Sequence, residues 1–129
     1  MRAGHRRTWM IIPFLLGALL LGHLLPAGGQ GPAPPKSRPA IYEFSRKLCP
    51  ICREMEQVLL EVQGKYGEQF QVRLLYIDED IKLFRQYQVT IVPTQVFLDA
   101  SGKEVFRHEG LFPREKLVVK LRELGFIRD

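Results

Sequence analysis

What most limits the fold of this 129-residue chain is an abrupt change of composition near residue 39. Before it lie an apolar run and a Pro/Gly-rich stretch; after it lies all the material from which a core can be built. Residues 26–39 (PAGGQGPAPPKSRP) hold no large apolar side chain, so burial cannot offset the entropy of ordering them. They read as extended, partly stiff chain, with residues 30–39 as the linker proper. The folding unit is then residues 40–129, about 90 residues, which can close one hydrophobic core without extra cross-links. A large multi-domain enzyme does not fit this length.

Residues 1–29 read as an address. Arg2, Arg6 and Arg7 precede residues 10–25 (MIIPFLLGALLLGHLL), where His23 is the one titratable group. A basic start, an apolar core and then the small residues Ala27, Gly28 and Gly29 describe a secretory signal peptide cut just before Gln30. The competing reading is an uncleaved N-terminal membrane anchor. A spanning helix needs roughly 17–25 apolar residues, and Pro13, Gly17 and Gly22 weaken a run already at that limit. Either way the arginines stay cytoplasmic and the rest is exported.

The formal charge of +5 invites a nucleic-acid reading, but its distribution argues against one. Arg2, Arg6, Arg7, Lys36 and Arg38 account for all of it, and residues 40–129 hold 14 basic against 14 acidic side chains. Counterion release needs a clustered excess of cations, so nucleic acid is not an expected partner.

Within the folding unit, residues 40–45 (AIYEFS) are β-branched and aromatic and read as a strand. Pro50 suits the first position of a helix, where its missing N–H costs nothing. Ile51, Met55, Val58, Leu59, Val62 and Tyr66 then recur at helical spacing, with Arg53, Glu54, Glu56 and Glu61 between them. Residues 70–77 (FQVRLLYI) are almost continuously apolar after Arg73, as a strand covered on both faces would be. Residues 78–80 cap a shorter helix reaching about Tyr87. Residues 94–98 and 104–108 flank Asp99-Ala100-Ser101-Gly102-Lys103, a hairpin turn signal. Gly110 and Pro113 precede a last helix with Leu117, Val118, Leu121 and Leu124 on one face. The expected fold is α/β, in the order β-α-β-α-β-β-α, with a mixed central sheet and helices on both faces.

Both cysteines of the chain sit three apart, in Cys49-Pro50-Ile51-Cys52. A structural zinc site needs four ligands, and the folding unit adds only His108; no metal site is expected. A purely structural disulfide is common in exported proteins, yet closing so short a loop removes little chain entropy. Redox chemistry has a mechanism at this spacing. At a helix N-terminus Cys49 faces unpaired N–H groups and the positive end of the dipole, which favour thiolate. Cys49 is then the exposed nucleophile, and Cys52, further into the helix, resolves the mixed disulfide. Arg46 and Lys47 either add positive potential or are merely a solvated loop.

A strand, a C-x-x-C opening a helix, and a later strand preceded by Val92-Pro93-Thr94 resemble the thioredoxin superfamily. The likeness spans about residues 40–125 and includes Tyr76-Ile77-Asp78, Tyr87-Gln88-Val89, Gly102 and Gly110. It implies a minimal thioredoxin-like domain in which Pro93 is cis beside the cysteine pair and Val92 offers backbone hydrogen bonds to a substrate polypeptide. Pro50 and Ile51 complete the implied substrate-binding set. It also implies a role for Glu43, which stands where thioredoxins hold a buried Asp that moves a proton for the inner cysteine. Strand alternation places Glu43 on one face with Ile41 and Ser45, which allows burial beneath the helix; the other reading is an exposed edge carboxylate. Departures are Leu48 for the usual Trp, Pro-Ile for Gly-Pro, Leu74 for a buried Lys, and linker where thioredoxin has an extra β-α unit.

The expected function is a periplasmic thiol–disulfide oxidoreductase acting on polypeptide thiols, more a reductant than a general oxidant. It needs no cofactor beyond its two sulfurs and a membrane redox partner to recycle them. Its last residues, Phe126-Ile127-Arg128-Asp129, are no retrieval signal, which favours a periplasm over an ER lumen. Two other classes compete: a non-enzymatic partner-binding module with a structural disulfide, and a metallochaperone holding soft Cu(I) between the thiolates.

Overall fold

The computed structural model describes residues 37–129; the leader and most of the linker lie outside the described residues. The chain runs through β1 (Ala40–Ser45), α1 (Pro50–Tyr66), β2 (Gln71–Tyr76), α2 (Ile81–Gln86), β3 (Thr94–Leu98), β4 (Glu104–Glu109) and α3 (Arg114–Glu123). These are the expected elements in the expected order.

The four strands form one mixed sheet in the order β2-β1-β3-β4. The β1-α1-β2 crossover makes β1 parallel to β2, with Glu43 opposite Leu74 and Ser45 opposite Tyr76. β3 runs antiparallel to β1, pairing Glu43 with Gln95 and Phe44 with Thr94. The β3–β4 hairpin turns where Asp99 Oδ1 accepts the N–H groups of Ser101 and Lys103, at 2.8 and 3.0 Å. Gly102 there has φ +83, a left-handed conformation that a side chain would strain.

Alternation along the strands sends each sheet face to a different core. On one face Ile41 and Phe97 meet Met55, Leu59 and Val62 of α1 and Leu117 and Leu121 of α3. On the other, Phe44, Leu75, Val96 and Leu98 cover Phe84 of α2. Burying each such side chain contributes about 1.5–3 kcal/mol, so the larger cluster is what fixes α1 on the sheet. Helices thus lie on both faces, as expected of an α/β fold.

Four local readings differ from expectation. β2 is an edge strand, not a doubly covered one: Gln71 and Arg73 are exposed and only Leu75 is buried. Ile51 is 44% exposed rather than part of the apolar stripe of α1. Asp80 is the N-cap of α2 as expected, but its side chain bonds no N–H of that helix; its Oδ2 instead accepts the Tyr76 N–H at 3.0 Å. Glu56, expected on the solvated side of α1, is half-buried against the sheet.

Candidate active site

The topology gathers one end of the sheet into a site. β1 and β2 end there, β3 begins there, and the β1–α1 loop carries the cysteines over it. Since Phe44 pairs with Thr94, Val92 and Pro93 enter β3 beside the point where the chain leaves β1 for Cys49. The Val92–Pro93 peptide bond is cis. Pro93 is buried, and its carbonyl accepts the Gly110 N–H at 2.8 Å.

Cys49 is the N-cap of α1, in extended conformation, with Pro50 in the first turn. Its carbonyl accepts the Arg53 N–H at 3.1 Å, and its Sγ accepts the Cys52 N–H at 3.3 Å. A sulfur in this place satisfies an N–H that a helix start otherwise leaves without a partner. The two cysteines pair as a disulfide, their Cα atoms 5.2 Å apart. Cys49 keeps partial exposure while Cys52 has none. Leu48 and Ile51, next to the cysteines in the chain, are exposed apolar side chains, the first 93% exposed, as is Ile91 just before Val92 and Pro93.

Glu43 is fully buried on the α1-facing side of β1, so the edge-carboxylate reading is set aside. Neither of its carboxylate oxygens has a hydrogen-bond partner among the described residues. Its cross-strand neighbour Gln95 directs its amide N–H to the Gly110 carbonyl at 3.2 Å. Loss of water is the main force on Glu43 and, with the Glu56 charge adding to it, pushes the pKa up to about 8; the nearby Gln95 amide, turned to Gly110, offsets this only in part.

Lys47 does not supply free positive potential to Cys49. It pairs with Asp78 at 3.6 Å and with Glu79, and sits 5.7 Å from the centre of the Tyr76 ring. Arg46 is exposed. Among the described residues no group of three or more His, Cys, Asp or Glu is placed to hold a metal ion. His108 is engaged elsewhere, stacked on Phe112 with Nε2 3.2 Å from the Leu111 carbonyl oxygen.

Glu56, whose place between the apolar positions of α1 predicts a solvated side chain, is also drawn to this end of the sheet. Ser45 donates its hydroxyl to Glu56 Oε1 at 2.5 Å, which draws the carboxylate inward. The available signal was its position four residues after Cys52, the same face of the helix one turn along.

A mixed sheet, a cysteine pair at the start of the helix after β1, and a cis proline at the start of the opposing strand together define a thioredoxin-like fold. Residues 32–125 match the thioredoxin-like domain family, and the chain belongs to it. The chain is 27% identical over 84 residues to thioredoxin Y, a chloroplastic protein of Oryza sativa subsp. japonica, covering 65% of this chain and 49% of that one. It is 26% identical over 90 residues to the chloroplastic thioredoxin-like protein HCF164 of Arabidopsis thaliana, covering 68% of this chain and 34% of that one. It thus spans half or less of those two relatives. A thioredoxin of Alicyclobacillus acidocaldarius is 28% identical over 87 residues, 67% of this chain and 82% of its own. Among solved structures, thioredoxin-2 of a malaria parasite superposes with a TM-score of 0.65 at 19% identity, covering 70% of this chain and 86% of that one. That likeness is one of fold.

Proposed function

We propose that this protein is an exported thiol–disulfide oxidoreductase that reduces disulfides in polypeptides, with Cys49 as nucleophile and Cys52 as resolving thiol. The observation that carries the proposal is the asymmetry of the pair: Cys49 caps α1 at the surface, and Cys52 is wholly buried behind it. A surface sulfur beside helix N–H groups is favoured as thiolate and meets the substrate first. A buried second thiol reacts only with a disulfide already attached to the first.

In this reading Glu43 takes the proton from Cys52 as that sulfur attacks the mixed disulfide. Val92, Pro93, Pro50 and Ile51 form the rim against which the substrate chain lies, and exposed Leu48 and Ile91 extend it with apolar surface. Their exposure favours polypeptide over small thiols as substrate. The reducing direction fits a domain in which, among the described residues, no substrate-binding domain is inserted between the elements. Export to a periplasm rests on the basic and apolar residues 1–25, and electrons would come from a membrane partner.

The test is covalent trapping in an exporting bacterium. Cys52→Ala should accumulate adducts with client proteins that reductant reverses, and Cys49→Ala/Cys52→Ala should abolish them. Equal adducts from both variants, or none from either, would overturn the assignment.

A further inference from the structure

Assigning Glu43 to proton transfer leaves its charged neighbour without a role. Glu56 lies on α1 one turn beyond Cys52, so the helix presents the buried sulfur and this carboxylate on one face. The carboxylate is fixed from the sheet by the Ser45 hydroxyl, 2.5 Å from Oε1. Ser45 is buried two residues after Glu43, on the same face of β1. Glu56 itself is half-buried, so it keeps its contact with water where Glu43 has none.

The groups facing Glu43 can be counted off by element. β3 contributes the neutral Gln95, whose partner on β4, His108, is turned to the Leu111 carbonyl and stacked on Phe112. β2 contributes Leu74 directly opposite and Tyr76 two residues on, whose phenol is raised in pKa by burial and then by the Glu56 charge. α3 contributes the apolar Leu117 and Leu121 to the same core. Lys47, the nearest loop cation to Tyr76, is held by Asp78 and Glu79. Among the described residues, the charge that acts on Glu43 is that of Glu56, in the same direction as burial and with a smaller effect.

We propose that Glu56, clamped by Ser45, is a positioning residue for the exchange reaction: its negative charge strengthens Glu43 as the base that accepts the Cys52 proton. The proposal rests on the assignment of Glu43 and Cys52 given above. In the step concerned, the Cys52 S–H bond breaks and an O–H bond forms on Glu43. The Cys52 sulfur then attacks Cys49, forming the Cys49–Cys52 disulfide, and the client sulfur leaves with the electron pair of the broken bond. The two enzyme sulfurs are oxidised and the client disulfide is reduced. A lysine at position 74, where this chain has Leu74, would offer the opposite charge; here a second carboxylate on the helix acts on the base instead.

Glu56→Gln removes the charge and keeps an oxygen for Ser45 to donate to. Two readouts are taken on the full chain, with amide spectra confirming the fold: the carbon-13 titration of the Glu43 carboxyl in the oxidised protein, and the pH profile of single-turnover reduction of insulin. In Glu56→Gln both the Glu43 titration and the limb of the rate profile that Glu43→Gln abolishes should move to lower pH. A Glu43 titration unmoved in Glu56→Gln overturns the proposal, whatever the protein reduces. If the titration moves but wild type shows no limb that Glu43→Gln removes, the assignment of Glu43 as base fails, and the role of Glu56 with it. The Cys52→Ala trap separately reports whether the exchange reading stands.

Discussion

At the scale of the single residue, Glu43 combines full burial with two carboxylate oxygens that no donor among the described residues satisfies. Such a group folds most easily when neutral. With the pKa raised from an ordinary 4.5 to about 8, the native chain holds a proton that the unfolded chain releases. The contribution of Glu43 to stability is therefore fullest below about pH 4.5 and is lost as pH rises, the loss being complete above about 8, to at most about 5 kcal/mol. Glu43→Gln should flatten this dependence and raise the urea midpoint at pH 9 more than at pH 5; an equal effect at both would deny the buried, protonated carboxyl. That Glu43 shares a face with Ile41 and Ser45 was legible in the sequence, because a strand alternates strictly; its burial was not, since that depends on what packs over the face. The inward pull on Glu56 was not, since it depends on a hydroxyl from another element meeting it across space.

Among the elements, α1 carries most of the design. Its start was legible from Pro50 and the cysteine before it, and its apolar stripe from the spacing of Met55, Leu59, Val62 and Tyr66. The stripe places Leu59 at 0% and Leu60 at 49% exposure, so adjacent leucines make an internal control. Leu59→Ala should cost about 2–5 kcal/mol in urea denaturation, while Leu60→Ala should cost far less. Similar losses at both positions would mean the helix is rotated from this packing. β2 was less legible. Its run of Leu74, Leu75, Tyr76 and Ile77 looks like an interior strand, but exposure depends on sheet order, which no local pattern encodes. Because the chain crosses from β1 to β2 and later returns to pair β3 on the other side of β1, β2 is left at the edge. The electrostatics of the β1–α1 loop escaped for the same reason: Lys47 is committed to Asp78 and Glu79, which lie beyond a helix and a strand in sequence but next to it in space.

Taken whole, the molecule places a surface sulfur, a buried sulfur and a buried carboxyl at one end of a sheet whose two faces are closed by helices. The order of elements and the mixed sheet could be read from sequence because each step was local: a crossover helix, a tight hairpin at Gly102, a last helix after Pro113. The measurement that tests the central claim most directly is the equilibrium of the Cys49–Cys52 pair of the full chain with glutathione. A reductant of polypeptide disulfides should give a potential at or below about −200 mV, the range of thioredoxin and the glutaredoxins. A potential well above that, towards the roughly −120 mV of strong disulfide donors, would contradict the reducing role. A pair that fails to equilibrate with glutathione at all would contradict the exchange chemistry itself.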